Sequence, residues 1–324
     1  MMLVLKNNIR MIWKKCLDSV TFSCMKNLVD SIKEIQDCEF FENIDLTKFT
    51  TFKLSSQGDL IEVKSIEALQ KLLPLLSLHK KPYLVVGWGA NQILPAQCSE
   101  LILHLDFLFE PSYLETLKDE YELPASLGIN HLTSHAVKFG LKGWEVFTGI
   151  PATLGGAIYM NAGTNLGEIG KLVKSVRLVD QQGKIREEKI TAQSFSYRKN
   201  NFVKPGEVIV GATLIHLGID ELIPQKIKDY LNYRKTTQPL ATKNCGCVFK
   251  NPLKELPAGK LIDLLQLKGV GVGELRISPK HANFMENSGK ATWDQFKTLV
   301  ELINFEMDHF YGIEFELEVK IPYH

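Results

Sequence analysis

No apolar run in this 324-residue chain approaches the ~20 residues that a membrane-spanning helix requires, so no transmembrane helix is expected. An excess of one charge sign is also missing. Lys and Arg number 38 against 37 Asp and Glu, a net charge of +1, which leaves no polyelectrolyte surface to recruit nucleic acid. Cysteine is sparse. Cys16, Cys24, Cys38, Cys98, Cys245 and Cys247 are scattered apart from one C-x-C, which is not a disulfide framework in a chain this long. A reducing, cytoplasmic compartment is expected. Internal repeats and low-complexity tracts are absent. The mildly basic N-terminus lacks a clean apolar segment, because Lys14-Lys15 and Asp18 interrupt it. It reads as an extension or an upstream start, with Met11 and Met25 as other starts, and residues 1–45 are expected to be dispensable.

What is present is ordinary globular composition, 45% hydrophobic and 23% charged, with length for two or three domains. The stretch from Gly143 to Gly163 organises the rest: G-W-E-V-F-T-G-I-P-A-T-L-G-G-A-I-Y-M-N-A-G. Glycine serves where a backbone needs positive φ or must approach another group closely. Ile150-Pro151 sets an extended or turn dipeptide. Gly155-Gly156 leaves room for a flat or charged ligand, and Asn161-Ala162-Gly163 makes a second small-residue corner. Such a segment is suited to cradle a pyrophosphate on peptide N–H groups.

Periodicity predicts an α+β chain with mixed sheets. A short amphipathic helix is expected over 28–41 and strands over 47–52, 59–64, 83–86 and 101–105. Ser65 caps a helix bearing Leu69, Leu72, Leu73 and Leu76. A helix over 130–139 stops at Gly140. Residues 173–179 and 184–190 form a hairpin around Gln181-Gln182-Gly183, and a strand spans 207–217. A domain boundary is expected at Gly218, dividing 46–218 from 219–324. Beyond it come helices over 225–235 and 258–267, strands near 248–249 and 281–286, and a helix from Thr292, whose Thr-x-x-Gln is a capping box. Residues 313–319 alternate as a strand with Glu314, Glu316 and Glu318 on its wet face.

Gly87-Trp88-Gly89 follows a strand but lacks the third glycine of a Rossmann fingerprint, position 92 being Gln92. It can still present N–H groups to a phosphate. Cys245-Gly246-Cys247 has no second ligand pair, so no metal is expected. Lys250-Asn251-Pro252, Tyr197-Arg198-Lys199 and His281 are polar clusters at strand ends or loops, where sites often lie. From the residues alone, the chain is a phosphate- or nucleotide-binding α+β enzyme.

In this order, several segments resemble the UDP-N-acetylenolpyruvoylglucosamine reductase (MurB) family. They are G-W-G-A-N at 87–91, G-I-P-A-T-L-G-G-A-I-Y-M-N-A-G at 149–163, S-Y-R at 196–198 and G-C-V-F-K-N-P at 246–252. A-G-K-L-I-D at 258–263, S-P-K-H-A-N-F at 278–284 and L-E-V-K-I at 317–321 continue the series. The short gap after Arg198 resembles the family's second type, which lacks a tyrosine-bearing loop. The resemblance implies an FAD-binding domain of the PCMH, or vanillyl-alcohol-oxidase, type followed by a smaller α+β substrate-binding domain. It implies NADPH-dependent reduction of UDP-N-acetylglucosamine enolpyruvate in peptidoglycan precursor synthesis, by a monomer carrying non-covalent FAD.

The resemblance also implies residue roles. Arg198 polarises the enolpyruvyl carboxylate, Cys247 stands where serine usually donates a proton, and Glu318 assists the enol or its protonation. An ordinary thiol, with pKa ~8.5, would be an easier donor than an alcohol, and would lose its proton in mild alkali. Gly87, Trp88, Gly89, Ala90, Asn91, Gly149, Ile150, Pro151, Gly155, Gly156, Asn161, Ala162 and Gly163 fall where the family holds the cofactor. Tyr197, Lys250, Asn251 and His281 fall where it meets substrate. Ala90 and Ala152 replace a family serine and glycine, and a positive φ at Ala152 would strain the backbone. Two other readings are another FAD-dependent oxidoreductase of this fold and a flavin-free descendant acting as a binding protein.

Overall fold

The computed structural model describes residues 27–253 and 255–322. Residues 27–33 are helical (α1), and the chain then enters β1 (Cys38–Asp45). The first sheet adds β2 (Gln57–Val63), α2 (Ile66–Leu78), β3 (Tyr83–Val86) and β4 (Leu101–Leu105), in the order β1-β2-β4-β3. β1 and β2 are antiparallel, and β4 lies parallel to both of its neighbours. Ser65 caps α2 by accepting from the Ala68 N–H, and the four predicted leucines are buried.

The second sheet is antiparallel, in the order β5-β12-β8-β9. Its path runs through β5 (Glu120–Pro124), α3 (Ile129–Phe139), α4 (Leu154–Tyr159) and a small hairpin of β6 (Gly163–Thr164) and β7 (Gly167–Glu168). It continues through β8 (Val173–Val179), β9 (Ile185–Lys189), a second small hairpin of β10 (Phe195–Ser196) and β11 (Lys199–Asn200), and β12 (Val208–Ile215). Gly140 ends α3 at φ +68, the left-handed cap that glycine allows. The last part holds α5 (Ile223–Thr237), α6 (Ala258–Leu264), the sheet of β13 (Gly271–Val272), β14 (Leu275–Ile277) and β15 (Met285–Asn287), and α7 (Trp293–Tyr311). The capping box at Thr292 and Gln295 is formed in both directions. Among the described residues, no helix is long and apolar enough to cross a membrane.

Several expectations are corrected. Residues 28–45 are part of the body: Leu28, Ile32 and Ile35 are buried with α2 and the first sheet, and the second half of the predicted helix is β1. Residues 47–49 are a 3-10 turn rather than a strand. The Asp45 carboxylate takes the Thr47 N–H at 2.9 Å, a local bond that competes with a sheet ladder. The boundary expected at Gly218 precedes α5, yet Ile223 and Ile227 of that helix are buried in the core of the second sheet with α3. The core of the last part in turn takes Phe52, Leu54 and Ile93 from the beginning of the chain. α6 stops at Leu264, and the strand expected over 281–286 is reduced to β15.

Residues 313–319 do not form a regular strand. They bridge Phe249 through Leu317, and the chain then leaves to bridge Gln92 through Lys320. The N–H groups of Glu318 and Val319 share the Val248 carbonyl, at 2.8 and 3.4 Å. Two residues opposite one is the arrangement of a β-bulge, which re-aims a side chain. Glu318 is turned inward by it: its side chain is 12% exposed, against 74% for Glu316.

Candidate active site

The loop after β3 borders a cleft of about 2000 Å³. The backbone N–H groups from Gly87 through Asn91 have no hydrogen-bond acceptor among the described residues. The loop is tied down through its carbonyls instead: Gly89 accepts from Thr51, and Asn91 from Lys320. A run of outward N–H groups is an anion-binding concavity. Gly89 adopts φ +59, and a Cβ there would lie 2.1 Å from the Phe49 carbonyl oxygen, so no other residue fits.

The opposite wall is the start of α4. Thr153 caps it by accepting from the Gly156 N–H, and a Cβ on Gly156 would meet little but that same hydroxyl. Gly156 therefore leaves the wall open, as expected. Its neighbour Gly155 does a different job. A Cβ there would lie 2.8 Å from Ala125, whose carbonyl also takes the Gly155 N–H, so this glycine serves packing. Ala152 has no left-handed backbone, so the strain expected there is absent. The Ala162 N–H bonds the Ala157 carbonyl, and a Cβ on Gly163 would meet the Gly167 carbonyl at 2.8 Å. Gly149, Ile150 and Pro151 line the cleft.

Asn161 is a scaffold residue, buried and at φ +44. Its amide donates to Glu168 and to the Ser196 carbonyl, both at 3.0 Å, and accepts from the Gly170 N–H. Both amide hydrogens are thus spent on the scaffold, and Asn161 does not line the cleft. The bond to Ser196 instead positions the hairpin of β10 and β11. Tyr197 and Arg198 are the two turn residues of that hairpin, and Arg198 sits at φ +56, where glycine or asparagine is usual. Strain of ~1–2 kcal/mol is held at this tip.

From the tip, Arg198 Nη1 donates to the Gly163 carbonyl, and Nε lies 2.9 Å from Oε1 of Glu318. The Arg198 guanidinium carbon is 5.6 Å from the Tyr197 ring centre. The extended segment 245–249 runs between residues 283–284 and 317–319. Asn283 clamps it by exchanging two side-chain bonds with the Phe249 backbone, at 2.9 and 2.8 Å. This arrangement brings Cys247 among Glu318, Arg198, Arg234 and Asn283. Burial pushes the Cys247 thiol up to about 12, and the Glu318 charge adds to the shift. The mild-alkaline deprotonation expected from an ordinary thiol is thereby corrected. Burial also raises Glu318, against the opposing pull of Arg198 and Lys250.

The remaining expected substrate contacts divide. Asn251 lines the cleft, with its side-chain oxygen held by the Ala258 N–H. His281 lines it too, against Phe284, and burial lowers its pKa so that it stays neutral. Lys250 pairs with Glu316 and does not line the cleft.

Sequence reading missed Arg234. It is buried on α5, bonding Gln238 and the carbonyls of Thr148 and Gly149, with no carboxylate partner among the described residues. It lines the cleft as a cation held by neutral oxygens, and burial lowers its pKa. Its only signal was a basic residue in an otherwise unremarkable helix.

Comparison with known proteins places this geometry. A family model described as FAD binding domain matches residues 60–188, and one described as UDP-N-acetylenolpyruvoylglucosamine reductase, C-terminal domain, matches residues 238–322. The chain is similar to the UDP-N-acetylenolpyruvoylglucosamine reductase of Chlamydia pneumoniae, 32% identical over 86% of this chain and 90% of that protein. The enzyme of that name from Bacillus pumilus is 32% identical over 92% of this chain and 98% of its own length. The crystal structure of MurB from Thermus caldophilus superposes with a TM-score of 0.72, at 28% identity, over 88% of this chain and 98% of that one. At this identity and coverage, the chain belongs to the UDP-N-acetylenolpyruvoylglucosamine reductase family.

Proposed function

We propose that this chain reduces UDP-N-acetylglucosamine enolpyruvate to UDP-N-acetylmuramate, with NADPH as electron source and non-covalent FAD as carrier. The observation that carries the reading is the convergence of Arg198, Cys247 and Glu318 in a cleft whose wall is an unpaired N–H loop. The residues present fit FAD. The loop from Gly87 to Asn91 would hold the pyrophosphate, and the open Gly156 position leaves room beside it. When bound, FAD supplies a two-electron relay from NADPH to the enolpyruvyl double bond.

The protein's share is orientation, charge stabilisation and a proton. Arg198 faces the carboxylate that gains charge as the double bond is reduced, a task suited to a guanidinium. Its Nη2 has no partner among the described residues. Cys247 gives its Sγ proton to C2. A raised thiol pKa suits this, since the thiol is fully protonated at neutral pH and the carbanionic centre is far more basic. The thiolate left behind faces Arg198 and Arg234, whose charges oppose its desolvation. Glu318 holds Arg198 in place by charge, a pairing that burial opposes by raising the carboxyl's pKa. Asn251 and His281 line the cleft on the route to the nucleotide part of the substrate, whereas Tyr197, exposed at the hairpin tip beside Arg198, does not line it. The reading carries with it a cytoplasmic setting and a monomer.

The test is spectroscopic. The purified protein should be yellow, bleach on anaerobic addition of NADPH, and recover its absorbance on addition of the enolpyruvyl substrate. Acid precipitation should release the flavin, whereas flavin left on the denatured protein would favour a tethered oxidase of this fold. A colourless protein that takes up no FAD would favour a flavin-free binding protein.

A further inference from the structure

We propose that the indole of Trp88 forms an aromatic wall for the adenosine half of FAD, an inference that rests on the flavoprotein reading above. Trp88 is 40% exposed, although it lies in a loop whose neighbours are small, and it lines the cleft. One edge of its ring is seated on Gly128. A Cβ at that glycine would lie 2.6 Å from Cζ2 and 3.0 Å from Cη2, and 2.5 Å from Oδ1 of Asn130. Gly128 has φ −68, a value any residue adopts, so its backbone does not call for glycine. The indole does. Trp88 and Gly128 are a matched pair, and the match holds a large π surface at the cleft wall.

The direction of the ring selects the ligand half. At one end of the loop, the Asn91 amide donates to the Glu318 carbonyl, which ties that end to the reacting side chains. At the other end, Trp88 leans toward Gly128 and the start of α3. In a flavin dinucleotide the pyrophosphate separates the redox ring from the adenosine. With the pyrophosphate on the N–H loop and the redox ring toward Cys247 and Glu318, the adenosine falls on the Trp88 side. An indole offers a purine a stacking surface, and loss of such a contact weakens binding by roughly 5- to 100-fold.

The test uses the full-length flavoprotein and its W88F, W88A and G128A variants. FAD release on dilution is followed by recovery of flavin fluorescence, and thermal melting is measured in parallel. W88A should release FAD with a Kd raised roughly 5- to 100-fold, while W88F stays close to the wild type. G128A should weaken FAD in the same direction as W88A, because its methyl group crowds the indole as well as Asn130 Oδ1. Reloading with FMN, which lacks the adenosine, should be equally tight in wild type and W88A. Wild-type FAD affinity in W88A, or an equal loss of FMN, would overturn the proposal. A wild-type protein that binds no FAD would instead overturn the flavoprotein reading, and this inference with it.

Discussion

Arg198 and Glu318 approach to 2.9 Å between Nε and Oε1, yet the Nε–H is not aimed at that oxygen and makes no hydrogen bond. The contact is an ion pair without a shared proton axis. Both partners reach it by local distortion, a left-handed turn residue on one side and a bulge on the other. Strain collected at one contact marks a place where the surrounding fold over-determines the geometry. A misaligned pair of this kind is ready to realign when a substrate carboxylate takes the guanidinium.

Glu318 should make stability depend on pH. Its folded pKa is raised by burial, so the unfolded chain ionises first. The associated stability is fully present below the ordinary glutamate value of ~4.3 and is lost as pH rises through the folded value. Glu318→Gln, a neutral isostere, should melt like the wild type in acid and at a higher temperature than the wild type once pH exceeds the folded value. Melting curves across that range check this, and a constant difference at all pH values would refute it.

Cys247→Ala should leave reduction of the flavin by NADPH nearly unchanged and slow reoxidation by substrate about 10²–10⁴-fold. Cys247→Ser should recover much of the second rate. With the thiol pushed up to about 12, neither activity nor alkylation should show a titration near the ordinary thiol value. Stopped-flow flavin absorbance separates the two steps. A substrate step as fast in the alanine variant as in the wild type would remove Cys247 from the reaction.

Asn161→Gly keeps the left-handed backbone and removes three side-chain hydrogen bonds. The expected loss of stability is about 2–4 kcal/mol, because the Gly170 N–H and Ser196 carbonyl lose their partner. The hairpin tip carrying Arg198 should loosen with it, lowering kcat of the substrate half-reaction more than flavin content. Denaturant unfolding and flavin-to-protein absorbance ratios measure both.

Ile32→Ala should destabilise by about 2–5 kcal/mol, since Ile32 is buried against α2 and the first sheet. A chain shortened to begin at Leu46 should fail to fold, as it would lack β1 and the three buried residues before it. Circular dichroism and gel filtration would show a soluble, folded product if that expectation is wrong.

Where a segment's burial follows its own periodicity, the sequence alone determined its structure. The four leucines of α2, the strands at 83–86 and 101–105, the 173–190 hairpin and the capping box at Thr292 are of this kind, because each depends on neighbours within a few residues. The family was legible for a related reason, since its glycines and polar residues recur in order along the chain. Contacts between distant segments were not legible. Glu318 looked like the wet face of a strand until a bulge against Val248 turned it inward, and a bulge has no period to read. Asn161 looked like a ligand contact until its amide met residues 168, 170 and 196. Arg234 showed only as a basic residue of a helix, because a cation on an exposed-looking helix becomes a buried one only when residues 148 and 149 close over it. The thiol of Cys247 has its acidity set in the same way, by burial and by charges brought in from positions 198, 234 and 318, which only the tertiary fold decides.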